Sequence, residues 1–205
     1  MNLHLLSWIL ALPLAAIGCA LNVGNLKPLE VVPYVDIYKY LGSWHEIARY
    51  PNRFQRDCVN SRADYRLRDD GDIRVLNMCN HKSEKGSLRS SEGKAWIVDK
   101  NTNAKLKVRF FWPFSGDYWI LDLGKDYEYA VVGTPSRKYL WVLSRKPKME
   151  AGKFREILSR IEKQGYDPKK LIQNPGAVLK EQSSQAESTG SPALENETGD
   201  KNGPG

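Results

Sequence analysis

Few residues of this chain belong to the types that carry covalent or acid–base chemistry, and their spacing limits what they could do. Beyond an apolar N-terminal run the histidines are His45 and His81, and neither stands near a Cys, Asp or Glu at the spacing of a metal-ligand set. There is no serine-centred nucleophile elbow, no phosphate-cradling glycine loop and no His-Glu-x-x-His helix. Glu46 sits in a short alternating run and could face an interior, where a buried carboxylate can accept a proton; the competing role is an ion pair with a basic neighbour. No metal and no cofactor is expected from this set. What remains is three thiols, Cys19, Cys58 and Cys79, and many aromatic rings, with six Trp and ten Tyr.

Residues 5–18 form an apolar run containing Pro13. It is shorter than the ~20 residues a spanning helix needs and typical of a signal-peptide core, so 1–18 read as the removable leader of an exported protein. The run ends in Ala16-Ile17-Gly18-Cys19, which resembles the lipobox of bacterial lipoproteins, where small residues precede a cysteine whose thiol takes a diacylglyceryl group. The resemblance implies that Cys19 becomes a lipidated N-terminus with a triacyl, palmitate-type anchor. With Ala rather than Asp at position 20, it implies the outer membrane as destination. Ordinary secretory cleavage nearby, giving a periplasmic or secreted protein, is the alternative. Acylation of Cys19 leaves Cys58 and Cys79 as a candidate disulfide, closing about 20 residues and adding ~3 kcal/mol, with two free thiols as the other state open to them. A two-residue turn at Asp70-Gly71 would set 58 opposite 83 and 79 opposite 62, so a bridge requires a bulge or bend within 60–63.

The elements that must position these groups are mostly strands. After an extended lead-in over 29–39 with Pro28 and Pro33, Gly42 and Trp44 open the run through Tyr50. Val59, Ser61, Ala63, Tyr65 and Leu67 alternate with polar residues, and the Asp-Gly turn returns the chain into 73–79. Runs at 92–99, 105–112, 118–123, 127–133 and 138–145 complete about eight antiparallel strands. Short strands at this spacing indicate a sandwich or barrel, and closure into an up-and-down barrel removes two open edges. One helix is expected over 149–164, where Phe154, Ile157, Leu158 and Ile161 form an apolar stripe and Gly165 stands at the C-terminal cap position. The fold class is thus all-β, with a single C-terminal helix packed outside the barrel. The expected domains are a leader at 1–18, a linker at 19–32, the barrel and helix at 33–173 and a disordered polar tail at 174–205.

The net charge is +7, but from residue 180 onward two lysines meet five acids, so the tail carries −3 and the rest +10. Such a surface is drawn to anionic phosphate on nucleic acid or on lipid headgroups, unless it is plain solvated exterior. A nucleic-acid partner is not expected, and a homodimer stays open.

Gly42-Ser43-Trp44, Gly116-Asp117-Tyr118-Trp119 and the run from Tyr139 to Arg145 follow one another in an order and at distances that resemble the lipocalins. The likeness is strongest to the subgroup of bacterial lipoprotein lipocalins, plant temperature-induced lipocalins and apolipoprotein D. The loop Gly133-Thr134-Pro135-Ser136-Arg137 agrees with that subgroup rather than with the Thr-Asp-Tyr form of the wider family. The resemblance implies that Gly42, Trp44 and Arg145 form a structural signature, Trp44 plugging the closed end with Arg145 across its indole face. If Arg145 points inward, alternation puts Leu143, Trp141 and Tyr139 on the same inner face, and Val59, Ala63, Tyr65, Leu106, Val108 and Phe110 on the inner faces of other strands. Such a wall suits a fatty acid or lysophospholipid, with Lys94, Lys107 and Arg109 as candidates at a headgroup. Two other readings stay open: a lipocalin-fold enzyme of isomerase type acting on a bound hydrophobe, and an envelope scaffold whose barrel is filled by its own side chains.

Overall fold

The computed structural model describes residues 27–180, so the leader, Cys19 and the polar stretch 181–205 lie outside the described residues. The alternating runs pair into eight antiparallel strands: β1 Gly42–Arg49, β2 Cys58–Leu67, β3 Ile73–His81, β4 Leu88–Ile97, β5 Lys105–Phe111, β6 Phe114–Leu123, β7 Tyr129–Gly133 and β8 Leu140–Ser144. Each pairs with the next in sequence, and β8 returns to β1 through His45↔Ser144 and Arg49↔Trp141. That last pairing closes an eight-stranded up-and-down barrel. Its two ends are distinct: the loops after β1, β3, β5 and β7 gather at one end, and those after β2, β4 and β6 at the other.

Three short strands extend this frame: β9 Met149–Glu150, β10 Ile172–Gln173 and β11 Val178–Leu179. β2 leaves β1 after His45↔Arg62, and β10 takes its place beside the upper part of β1 at Ala48↔Gln173. β11 pairs in parallel with β9. The packed chain therefore runs past 173, where the sequence suggests a polar tail: Asn174 and Ala177 are buried, and the Asn174 amide donates to the Glu46 carbonyl.

The helix α2 spans Ala151–Lys163 and buries Phe154, Ile157 and Ile161 against Leu121, Tyr129, Val131, Leu140 and Val142 on the outer barrel wall. It ends where Gly165 adopts φ +82°, with the Tyr166 amide reaching back to the Ile161 carbonyl. A separate cluster fills the inside, from Trp44, Ala63 and Tyr65 through Ile73, Val75, Ala95 and Leu106 to Ile120, Val132 and Leu143. Alternation along the strands feeds both cores, inner residues to the lumen and outer ones to the helix.

Two local expectations change. The lead-in is not wholly extended, because Ile37–Tyr40 form a one-turn helix α1, capped by the Asp36 carboxylate accepting from the Tyr38 and Lys39 amides. Four residues are too few for a helical period to show in sequence. The β2–β3 connection is a five-residue loop over 68–72 rather than a two-residue turn, with Leu67 opposite Ile73 and the Arg68 amide bonded to the Asp72 carbonyl.

Candidate functional site

The barrel is stoppered at the end where β1 begins. Trp44 is fully buried, its indole N–H donates to the Tyr40 carbonyl at 2.9 Å, and the Arg145 guanidinium lies 3.8 Å from its ring centroid. Arg145 also donates to the carbonyls of Ser43, Lys39 and Tyr127 and so laces three segments across the floor. Gly42 permits this approach: it adopts φ +92°, and a Cβ there would stand 3.4 Å from the guanidinium. A layer of tyrosines packs against the indole, the Tyr40 ring centroid 5.0 Å from that of Trp44. The Tyr118 hydroxyl bonds those of Tyr40 at 2.8 Å and Tyr65 at 3.0 Å. Burial pushes the Tyr65 phenol up to about 12 and raises Tyr40 and Tyr118 well above 10. The void left in this layer, between Tyr40, Tyr65, Ile73, Val75, Ala95, Leu106 and Tyr118, measures only about 10 Å³, which is room for one water and no lipid.

The lumen changes character above that layer. On β3 and β4 the register Ile73↔Ala95, Val75↔Gly93, Asn77↔Ser91 and Cys79↔Arg89 keeps all eight residues on the inner face, and apart from the disulfide-bonded Cys79 the upper ones are exposed. Ile73, Val75 and Ala95 are buried, whereas Asn77, Ser91 and Arg89 are exposed although they point inward. On β5 and β6, Val108 and Phe110 are half-buried, and a Cβ on Gly116, opposite Val108, would meet nothing within 4 Å. The Phe110 ring lies over Gly93, where a Cβ would fall 2.7 Å from it. Inward-facing yet solvent-reached residues above a sealed floor make a cup open at one end.

The comparisons agree with this geometry. A family model described as a lipocalin-like domain matches residues 35–176. This chain belongs to the lipocalin-like family. Over 158 residues the lipocalin is 40% identical to temperature-induced lipocalin-1 of Arabidopsis thaliana, covering 73% of this chain and 83% of that one. It is also 40% identical over 153 residues to outer membrane lipoprotein Blc of Escherichia coli K12, with 74% and 86% covered. Among solved structures it superposes on insecticyanin from the tobacco hornworm Manduca sexta with a TM-score of 0.57 at 21% identity, covering 71% of this chain and 83% of that one.

Of the residues assigned to the inner wall, Ala63, Tyr65 and Leu106 lie in the closed lower layer, while Val108, Phe110 and Trp141 line the upper half of the lipocalin barrel. Tyr139 stacks on Trp141 at 5.9 Å, nearly parallel, and packs beside Phe54 at the rim. Val59 is the exception. A bulge between Val59 and Arg62, with Asn60 at φ +51°, reverses the alternation, so Cys58 turns inward and Val59 outward. That same bulge brings Cys58 to Cys79, whose sulfurs are bonded with the Cα atoms 5.3 Å apart.

Lys94, Lys107 and Arg109 also face outward. Lys94 pairs with Asp70 and Asp72, Lys107 with Asp117, and Arg109 lies over Trp96. The inward cations of the upper half are Arg89 and Arg49 instead. Arg89 is hidden in the sequence because 89–92 are all polar and carry no period-two strand signal. Arg49 and Glu46 share the inner face through a bulge in β1 between Glu46 and Ala48. Their ion pair at 2.7 Å is almost wholly buried, and Gln55 donates to Glu46 at 2.6 Å while accepting from the Trp141 indole at 2.9 Å. Burial still raises the Glu46 carboxyl above the usual carboxylate value, against the pull of Arg49. Glu46 is thus engaged by two partners rather than poised as a free base. Two buried side-chain nitrogens, Arg49 Nε and His81 Nδ1, have no hydrogen-bond partner among the described residues, and both belong to inward-facing residues of the upper half. Among the described residues no three His, Cys, Asp or Glu gather as a metal set.

Proposed function

We propose that this lipocalin binds one small hydrophobic ligand of the fatty acid or lysophospholipid class, and releases it chemically unchanged. The observation that carries the reading is the exposure of inward-facing Asn77, Ser91 and Arg89 above a floor closed by Trp44 and Arg145. An acyl chain would lie along Val108, Phe110 and Trp141, an apolar lining of the kind that holds such chains. The carboxylate or phosphate would meet Arg89, beside His81 at 3.1 Å. An eight-stranded barrel has room for one such molecule. The chain is further proposed to act at the cell envelope, held on the outer membrane through acylated Cys19 after loss of residues 1–18. The similarity to an outer membrane lipoprotein supports that location.

Native mass spectrometry of the protein purified from its own membrane tests both parts. The expected spectrum shows one copurifying lipid per chain and an acyl modification at Cys19. A chain that carries no lipid, and takes up none when fatty acid and lysophospholipid are added, contradicts the ligand reading.

A further inference from the structure

The outer side of the floor carries a charge that the chain does not neutralise. The Arg145 guanidinium is half-buried, and its partners, the Trp44 indole and three backbone carbonyls, are all uncharged. Burial lowers its pKa from the usual guanidinium value; only the phenols of Tyr40 and Tyr65 oppose that shift, and no carboxylate does. A cation withdrawn from water is ordinarily matched by an anion, because its desolvation is otherwise uncompensated. A guanidinium also has more N–H groups than the carbonyls of Lys39, Ser43 and Tyr127 take up, so part of its donor set has no acceptor among the described residues.

A cleft opens in front of it. Lys39 near the end of α1, Lys125, Asp126 and Tyr127 between β6 and β7, and Arg145 just past β8 line a space of about 370 Å³. That volume falls within the ~300–1,000 Å³ of small-molecule clefts. Tyr127 forms one wall, with the Lys39 ammonium 5.9 Å from its ring centroid. Among the described residues Lys39, Lys125, Asp126 and Arg145 form no ion pair, so three cations converge against a single acid. Other acids of this end are engaged elsewhere. Asp36 accepts from the Tyr38 and Lys39 amides, Glu128 from the Asp126 amide, and Asp99 from Asn101 and Thr102, while Asp70 and Asp72 pair with Lys94. A cleft lined mostly by one sign of charge concentrates ions of the other.

We infer that this cleft is a second binding site, on the outer face of the floor, for a phosphate-bearing anion. Its oxygens accept from Arg145 and meet the ammonium groups of Lys39 and Lys125, the pairing that guanidinium forks and lysine point charges make with phosphate. The bound anion supplies the counter-charge that Arg145 lacks and so tightens the floor. Trp44 and the tyrosine layer separate this site from the cup, and the two share no ligand space. Such a phosphate is carried by small phosphorylated compounds and by lipid headgroups. Charge tells the two apart: a terminal phosphate brings about two negative charges, and the diester of a phospholipid brings one.

Calorimetric titration of the purified protein with pyrophosphate, glucose 6-phosphate and glycerophosphoglycerol tests the inference. Saturable one-to-one binding is expected, weakening as salt is raised and accompanied by a higher melting temperature. Tighter binding of the first two upholds the site as one for free phosphorylated compounds, and binding of the diester at least as tight upholds it as one for a headgroup. Lys39→Gln combined with Lys125→Gln should weaken binding at least about tenfold, whereas Asp126→Asn, which removes the one acid, should tighten it about two- to fivefold. All three side chains are exposed, so both variants should keep the parent's urea midpoint in the absence of anion, and Arg145 is left intact because it holds the floor. Absence of saturable binding of all three anions to the parent, or equal affinity in the parent and the double lysine variant, overturns the inference. Fatty acid uptake is titrated on the same proteins and should be equal in all of them, so failure of this site and failure of the cup are distinguishable.

Discussion

At Arg145 one guanidinium serves both a π face and three carbonyl oxygens, so truncation removes a cation–π contact and leaves the oxygens of Lys39, Ser43 and Tyr127 without their donor. Arg145→Ala is expected to cost about 2–4 kcal/mol, and Arg145→Lys a large part of that, because an ammonium lacks the planar fork that reaches several acceptors together. Midpoints of urea unfolding measure both; an unchanged midpoint would deny the floor its structural role. The tyrosines packed against this floor predict a response to alkali. Burial holds the folded phenols of Tyr40, Tyr65 and Tyr118 above the unfolded value of 10.0, with Tyr65 at about 12. Between those values the unfolded chain sheds protons that the folded chain keeps. The stabilisation is therefore whole below pH 10 and is lost as pH rises through 10 toward 12. Melting temperatures over that range should fall, with phenolate absorbance appearing together with unfolding. Ionisation of all ten tyrosines without unfolding would contradict the buried layer. Trp44 and Arg145 were legible in sequence because a motif carries them. The tyrosine layer was not, since it joins α1, β2 and β6, whose nearness only the closed barrel creates.

The β2–β3 hairpin shows how one irregularity decides the roles of several residues. Regular pairing keeps Cys58 and Cys79 apart. The bulge at Asn60 brings them together on the inner face and turns Val59 out. The need for a bulge within 60–63 could be read from spacing alone, but the consequent reversal at Val59 required knowing which residue the bulge displaces. The bridge closes a loop of 21 residues, and Cys58→Ala with Cys79→Ala is expected to cost ~3 kcal/mol. For a domain of this size that corresponds to about 6–12 °C in melting temperature. Calorimetry of the double variant, or of the reduced protein, gives the value directly. Strand type and order were legible because alternation has period two. Strand ends were not: in β4 a single Leu88 precedes the polar run 89–92, and in β6 Phe114 is followed by Ser115, Gly116 and Asp117, so neither start shows apolar-polar alternation. Arg89 and Ser91, both on the inner face of the upper half, were hidden by that gap.

The whole molecule is a cup whose lower half is solid and whose upper half is open. The sequence assigns Ala63, Tyr65 and Leu106 to one cavity together with Val108, Phe110 and Trp141; the void of about 10 Å³ among Tyr40, Tyr65 and Tyr118 leaves no ligand-sized space at the lower three. A substitution in that upper space should therefore block ligand without disturbing the floor. Val108 is half-buried on the inner wall opposite Gly116, where open space begins, so Val108→Trp would occupy the volume proposed for an acyl chain. The most direct measurement is a calorimetric titration of the parent chain and of Val108→Trp with one fatty acid and one lysophospholipid. One-to-one binding to the parent, weakened at least about tenfold in a Val108→Trp protein that still melts cooperatively, is the predicted result. No heat of binding in either protein, or equal affinity in both, would mean that the cup is not where a hydrophobic ligand goes.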